Sequence, residues 1–452
     1  MKQTTQTLPE TQPIAGPKSL ELFNEEQKYM TPGLQQIATF SKIAMQKGRG
    51  AVLTDVDGKE YIDFVAGVCV ASLGHGHPEY ARAIAEQAAD ITVGSFTTRN
   101  RMEFVRNLAT VTPKGLDRVQ LYSSGAEAVE AALRLAKSHT KNFEFMAFWG
   151  GFHGKTGGVL PMLGDTSFKQ GLGPLMPGTY LTPFPNPYRC PFGTEGEHDC
   201  AAHCLEFLRS TILRSTSGSL AAILMEPIQG TAGNVIPPKG FLAGVQKIAH
   251  ERGGLLIADE MITGFGRSGE WFGSNHDGVT PDVMTIGKGV AGGFPVSGVV
   301  TSATIASAKP FANPSGSSSS YGGNPLASAA CNATLRILQK EKLVEHSRVL
   351  GAAMLERLNA MKERFPFIGD VRGKGLMIGV ELVKDRATKE SLPRDACRAI
   401  FDEALRRGLL TMSYSPCIRI NPPLVITREQ AMRGLDILEE TFAAAAKRLK
   451  LG

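Results

Sequence analysis

The sequence predicts an α/β protein: a large domain with a mostly parallel sheet between helices, followed by a smaller α+β unit. Three observations carry this. Short, nearly continuous apolar runs recur at Arg118–Ser124, Phe143–Gly151, Leu220–Pro227, Leu255–Glu260, Asp282–Gly287 and Val296–Ser302, the pattern of strands buried on both faces. Helical periodicity falls between them, as at Ala126–Ser138, where Val129, Leu133 and Ala136 recur on one face; such alternation is the mark of an α/β sheet. After Asn324-Pro325 the texture changes to long helical stretches, a Gly-punctuated strand at Asp370–Val383, a helix near Asp395–Arg407 and a final helix from Arg428. Two domains also suit 452 residues, too many for one core of ordinary size.

In chain order, residues 1–20 read as a flexible tail, and the opening MKQTTQTLPETQPIAGPKS has no apolar leader segment. Residues 21–74 are expected to pack with the small domain. Within them Gly50–Val65, with Asp57-Gly58 between apolar runs, reads as a hairpin that joins the carboxy-terminal unit rather than the main sheet. The large domain then takes residues 75–325 and the small one 326–452.

A composition of 42% hydrophobic and 20% charged residues removes disordered and fibrous readings. Fifty Gly residues anticipate tight turns and close backbone approaches. A net charge of +6 without a long basic run gives no nucleic-acid face, and no apolar stretch nears the roughly 20 residues of a membrane span. The expectation is a cytoplasmic protein that takes small molecules and neither nucleic acid nor membrane as partners. Seven Cys, an odd set mostly scattered singly, suit reduced thiols better than a disulfide framework. Cys190, His198, Cys200, His203 and Cys204 are metal-ligating types in one short stretch, but their spacing matches no zinc pattern, so a surface loop with thiols and no metal is expected.

Chemistry concentrates at strand ends. Asp259 closes the run Leu255-Leu256-Ile257-Ala258, and Lys288 stands between Gly287 and Gly289 after Thr285-Ile286; the carboxyl ends of parallel strands are where such sheets present functional groups. A carboxylate beside so apolar a strand is costly without a cationic partner. A lysine between glycines leaves room for a bulky group, and desolvation helps its amine lose a proton. Taken singly, each has a bland reading as a cap or a solvated turn. Ser123-Ser124-Gly125-Ala126-Glu127 lies between a strand and a helix, where free N–H groups suit a phosphate; it also reads as a capping box, Ser124 with Glu127.

Two phosphate-loop patterns are set aside. Gly154-Lys155-Thr156 lacks the earlier glycine of a P-loop, because that position is Trp149. Gly264-Phe265-Gly266-Arg267-Ser268-Gly269 matches G-x-G-x-x-G, but the Glu270–Asn275 stretch that follows is no helix start.

The ordered set Ser124-Gly125-Ala126-Glu127, Gly151-Phe152-His153-Gly154, Glu226-Pro227, Asp259-Glu260, Gly264-Phe265-Gly266-Arg267, Gly287-Lys288-Gly289, Tyr321-Gly322-Gly323-Asn324-Pro325 and Arg419 resembles the class III (ω-type) aminotransferases from about residue 48 to the end. The resemblance implies a fold-type I homodimer with a seven-stranded, mostly parallel sheet and pyridoxal 5'-phosphate as cofactor. It implies that Lys288 holds the cofactor and moves the proton, Asp259 partners the pyridine nitrogen and Phe152 stacks on the ring. Ser124, Gly125 and Ala126 match the phosphate loop, and His153, Glu226 and Ile262 fall at cofactor-lining positions. Ser320, where the family usually has Thr, reaches the phosphate from the neighbouring subunit. Arg419 matches the arginine that grips a substrate carboxylate, with Lys155 and Val68 in the same pocket.

Three departures bear on substrate. The 4-aminobutyrate, ornithine and acetylornithine enzymes usually carry Arg, Glu and Gln where this chain has Lys155, Thr231 and Ile262. Thr231 cannot neutralise Arg419 when a substrate without an α-carboxylate binds. The expected donor is a primary amine or ω-amino acid, with pyruvate or 2-oxoglutarate as acceptor. An isomerase on the same scaffold, an aminomutase or amino-acid racemase, stands as the alternative, because fold and cofactor do not fix the outcome of the reaction.

Overall fold

The computed structural model describes residues 14–193 and 199–451. Strands β1 (Met45–Arg49), β2 (Val52–Asp55) and β3 (Glu60–Asp63) form an antiparallel meander. The large sheet holds β4 (Arg118–Tyr122), β5 (Glu144–Phe148), β6 (Thr179–Thr182), β7 (Leu220–Met225), β8 (Leu255–Asp259), β9 (Val283–Ile286) and β10 (Ser297–Thr301), in the order β4-β10-β9-β8-β7-β5-β6. Strand β11 (Ile368–Lys374) pairs with β12 (Met377–Leu382), β13 (Leu409–Leu410) pairs in parallel with β3, and β14 (Cys417–Ile420) completes the third sheet beside β12.

The central runs read as continuous because both faces of the large sheet are covered. On β5, Phe145 and Ala147 pack towards the helix Gly125–Thr140, whereas Met146 and Phe148 pack towards the helices Cys200–Ser215 and Phe241–Glu251. The first of those helices starts where the sequence places it: Ser124 Oγ accepts from Glu127 N at 3.3 Å, and the Glu127 carboxylate accepts from Ser124 N at 2.9 Å. The hairpin at Gly50–Val65 joins β13, a strand of the carboxy-terminal half, and not the large sheet.

Several details differ from the sequence reading. Val296–Ser302 does form a strand, but β10 runs antiparallel to both neighbours, because the connection from β9 is a short 3₁₀ turn rather than a crossover helix. Asp370–Val383 is a tight hairpin of two strands, with Lys374 opposite Met377 and Gly375 in the left-handed region at the turn. Strand β6 went unanticipated; it lies at the sheet edge and is only partly buried. Residues 17–20, assigned to the tail, form the first turn of the helix Pro17–Glu26, where Lys18 N and Ser19 N donate to the Asp57 carboxylate; residues 1–13 lie outside the described residues. The thiols do not form a surface loop: Cys200 and Cys204 are buried on the helix Cys200–Ser215, and Cys190 packs against the same cluster. His198 lies outside the described residues. Among the described residues no group of side chains suits a metal ion, and no helix is long and apolar enough to cross a membrane.

Candidate active site

Asp259, the last residue of β8, is buried and held on both oxygens by its own chain. Its Oδ2 lies 2.7 Å from His153 Nδ1, its Oδ1 accepts from Thr285 Oγ1 at 3.0 Å, and Met261 N donates to the same oxygen at 3.2 Å. A carboxylate only accepts, so this contact is a hydrogen bond when the His153 proton sits on Nδ1. His153 Nε2 is then a buried nitrogen without a partner among the described residues. Lys288 follows β9, half-buried, with φ of 41°, a left-handed backbone that is uncommon for a residue other than glycine.

Met261 ties these ends to the helix start. A Cβ on Gly287 would lie 2.5 Å from Met261 Sδ, and one on Gly125 would lie 3.3 Å from the same atom. Gly154, at φ 127°, lies so close that a Cβ would meet the Ala126 Cβ at 2.7 Å. The Phe152–Gly154 loop, the Ser124–Ala126 helix start and the strand ends carrying Asp259 and Lys288 therefore converge. The opening N–H groups of a helix have no acceptor within it, and Gly125 and Ala126 supply two of them here.

Glu226 is a brace for this arrangement. One carboxylate oxygen accepts from Phe152 N at 3.0 Å and the other from Gly230 N at 2.9 Å, which locks the Phe152 loop to the loop after β7. Burial pushes its pKa up, opposed by His153. Ile262 closes the same corner, with its Cδ1 2.5 Å from where a Cβ on Gly230 would sit. The Phe152 ring meets Phe168 edge-on at 5.2 Å. Lys155 is exposed, its ammonium 6.0 Å from the Phe152 ring and 5.4 Å from the Phe168 ring.

The opposite wall comes from both ends of the chain. Ala66, Gly67, Val68 and Cys69 all have positive φ, between 49° and 66°. A left-handed run through a β-branched residue is strained, and Asp63 holds it by accepting from Val65 N and Ala66 N at 2.8 Å each. Cys69 packs with Ile262, and Val68 packs on a cluster containing Met412. Ser72, just beyond, lies close enough to Gly289 that a Cβ there would meet its Oγ at 2.8 Å. Arg419 on β14 is half-buried, and its Nη2 donates to Met412 Sδ at 3.4 Å. Its strand is pinned to the loop that carries Thr231: Cys417 Sγ donates to Gly233 O at 3.3 Å, and Asn234 Nδ2 donates to Asn421 Oδ1 at 2.9 Å.

Ser320 is not brought to this centre within one chain; it is exposed beside Tyr321. Sequence reasoning missed Thr285, Met261, Asp63 and the left-handed turn. Thr285 had a signal, as the one polar residue inside the apolar stretch Val283–Ile286 that leads to Gly287-Lys288.

The donor set fits pyridoxal phosphate. Each carboxylate oxygen can accept two hydrogen bonds, which leaves Asp259 capacity for a ring N–H. The orphaned His153 nitrogen and the glycine cradle around Met261 leave space that side chains would fill. Comparison with known proteins agrees. The Aminotransferase class-III family profile matches residues 35–442. An alanine/serine racemase of Pyrococcus horikoshii is 36% identical, over 94% of this chain and 91% of its own length. An acetylornithine aminotransferase of Methanosarcina acetivorans is 37% identical over 88% and 91%. The crystal structure of an amine transaminase from an uncultivated Pseudomonas species, in its PLP-bound form, superposes with a TM-score of 0.87 at 30% identity, covering 92% of this chain and 99% of the other. The chain belongs to the class III aminotransferases, enzymes that work with pyridoxal phosphate.

Proposed function

We propose that this enzyme moves an amino group from a primary amine or ω-amino acid to a 2-keto acid, pyruvate or 2-oxoglutarate, through alternating half-reactions at this centre. The observation that carries the reading is Arg419: a guanidinium on a strand pinned to the site, with a sulfur contact and no carboxylate partner among the described residues. Its planar fork suits the carboxylate of a keto acid.

Bound pyridoxal phosphate supplies the electron sink that makes a substrate Cα–H acidic. The Gly125 and Ala126 N–H groups and the Ser124 hydroxyl hold its phosphate, and Phe152 flanks its ring. Asp259 keeps a proton on the ring nitrogen; His153 and Thr285 fix the carboxylate for that task. Lys288 would anchor the cofactor, and its amine would carry the proton to and from the substrate Cα. Val68 and Ile262 shape the side-chain pocket. Lys155, at the entrance, offers charge to a distal carboxylate.

The site is completed by a second copy of the chain. Phe96 and Tyr321 are 72% and 74% exposed, and a Cβ on Gly94 would lie 3.1 Å from Asn324 Cα, so the two segments that carry these exposed rings run side by side near Ser320. Covering those exposed rings in a homodimer would bring Ser320 towards the partner's phosphate site.

A second reading, amino-acid racemisation, is favoured by the Pyrococcus relative and by Thr231: with no acid there, Arg419 suits substrates that carry an α-carboxylate on both sides of the reaction. Cofactor absorbance separates the two readings. Conversion to the amine form of the cofactor on adding ω-amino acid or amine, reversed by keto acid, supports transamination. Racemisation of a single-enantiomer amino acid with the cofactor unchanged favours the second reading.

A further inference from the structure

One face of the third sheet carries two arginines that are treated oppositely. Alternate residues of a strand share a face. The register sets Arg372 opposite Gly379 and Gly379 opposite Arg419; the next row on that face is Asp370, Glu381 and Cys417. Arg372 Nη1 donates to Glu381 Oε2 at 2.9 Å and to Asp370 Oδ2 at 2.8 Å. Its Nη2 donates to Gly233 O at 2.9 Å. The other Glu381 oxygen accepts from Arg189 Nε. Burial pushes the Cys417 thiol up to about 11, so it meets this row as a neutral group. Arg419 has none of the acids.

Glu381 and Arg419 are diagonal neighbours across β12 and β14, a spacing of about 7–8 Å that long side chains span. Gly379, on β12 opposite Arg419, has no side chain, and the Gly233 carbonyl lies 2.3 Å from where its Cβ would be. The Glu381 and Arg372 side chains are 9% and 10% exposed. A carboxylate that loses one of its two arginine partners at that depth is not solvated by bulk water and is drawn to the cations within reach, Arg419 among them. An acid paired with Arg419 inside the protein competes with a substrate carboxylate at high effective concentration.

We propose that Arg372 and Arg189 are positioning residues that hold Glu381 away from Arg419, and so keep that guanidinium open for a substrate carboxylate. The inference rests on the reading of Arg419 given above. It makes Arg372 a specificity device that acts through Glu381, and it predicts rescue, which a residue needed only for packing does not show.

The test is calorimetric titration of the holoenzyme with glutarate, a dicarboxylate that has neither an amino nor a keto group. Arg372→Gln weakens glutarate binding about tenfold, as expected for a competing internal ion pair. Glu381→Gln alone leaves binding within about twofold, and Arg372→Gln/Glu381→Gln returns it to within about twofold of the parent, because the competitor is gone. A double variant as weak as Arg372→Gln overturns the proposal. Should Arg372→Gln fail to fold, Arg189→Gln, whose side chain is 32% exposed in the parent, carries the same comparison, with a smaller loss that Glu381→Gln again restores. Arg419→Lys in the same titration separates the two levels. Glutarate binding unchanged by that substitution removes the underlying reading of Arg419 and this inference with it. Binding that needs Arg419 but is not rescued by Glu381→Gln removes this inference alone.

Discussion

Asp259 and Arg419 are both charged side chains on strands that face the site, yet their surroundings are opposites. Asp259, on the large sheet, is buried and takes three hydrogen bonds from His153, Thr285 and Met261. Arg419, on the third sheet, is half-buried and meets one sulfur. The cofactor end is thus organised before anything binds, with both Asp259 oxygens already held by fixed donors. At the substrate end Arg419 has no carboxylate partner among the described residues, and the acids of the adjacent row are tied to other arginines. Preorganised dipoles and charges suit a chemical step that is the same in every turnover. An open guanidinium suits a ligand that comes and goes.

Four substitutions test that division, in falling order of effect. Lys288→Ala removes both the anchor and the proton carrier, and turnover drops by about 10⁴-fold or more; activity near the parent's would sink the central assignment. Asp259→Asn keeps the shape but loses the charge, and both half-reactions slow by about 10²-fold, as for a lost electrostatic stabiliser in a buried site. A loss confined to one half-reaction would move Asp259 to the substrate end of the comparison.

Arg419→Lys keeps the charge and loses the fork. The keto-acid half-reaction weakens by about 10-fold or more, the cost of a charge-assisted hydrogen bond, while reaction with a carboxylate-free amine changes little. Single-turnover absorbance measures each half separately, and equal losses would mean that Arg419 supports the fold instead. Thr231→Glu is the smallest change: a new acid on the loop facing β14 gives Arg419 a partner, so amines without a carboxylate react a few-fold faster and keto acids a few-fold slower, on the scale of a partly exposed ion pair. No change in that ratio would place Thr231 out of reach of Arg419.

Much of the large domain was legible because its strands are buried on both faces, which writes an apolar run and a polar strand end directly into the chain. Asp259 and Lys288 stood out for that reason. Other features depend on partners far away in sequence: His153 and Asp259 are 106 residues apart, and Arg189 and Glu381 are 192 apart. No local pattern marks such pairs. The three thiols were misplaced for a related cause, since the helix Cys200–Ser215 buries Cys200 and Cys204 only by packing on the large sheet.

The sequence by itself determined the alternation of buried strands and helices, the capped helix start at Ser124 and the motif order that carries the family resemblance, because each rests on local periodicity, capping or spacing. Tertiary structure decided which way β10 runs, how Asp63 holds the strained turn at Val68, and which arginine takes the acids of the third sheet. Those outcomes depend on register and on competition between charges brought together by folding, and neither quantity exists until distant strands are side by side.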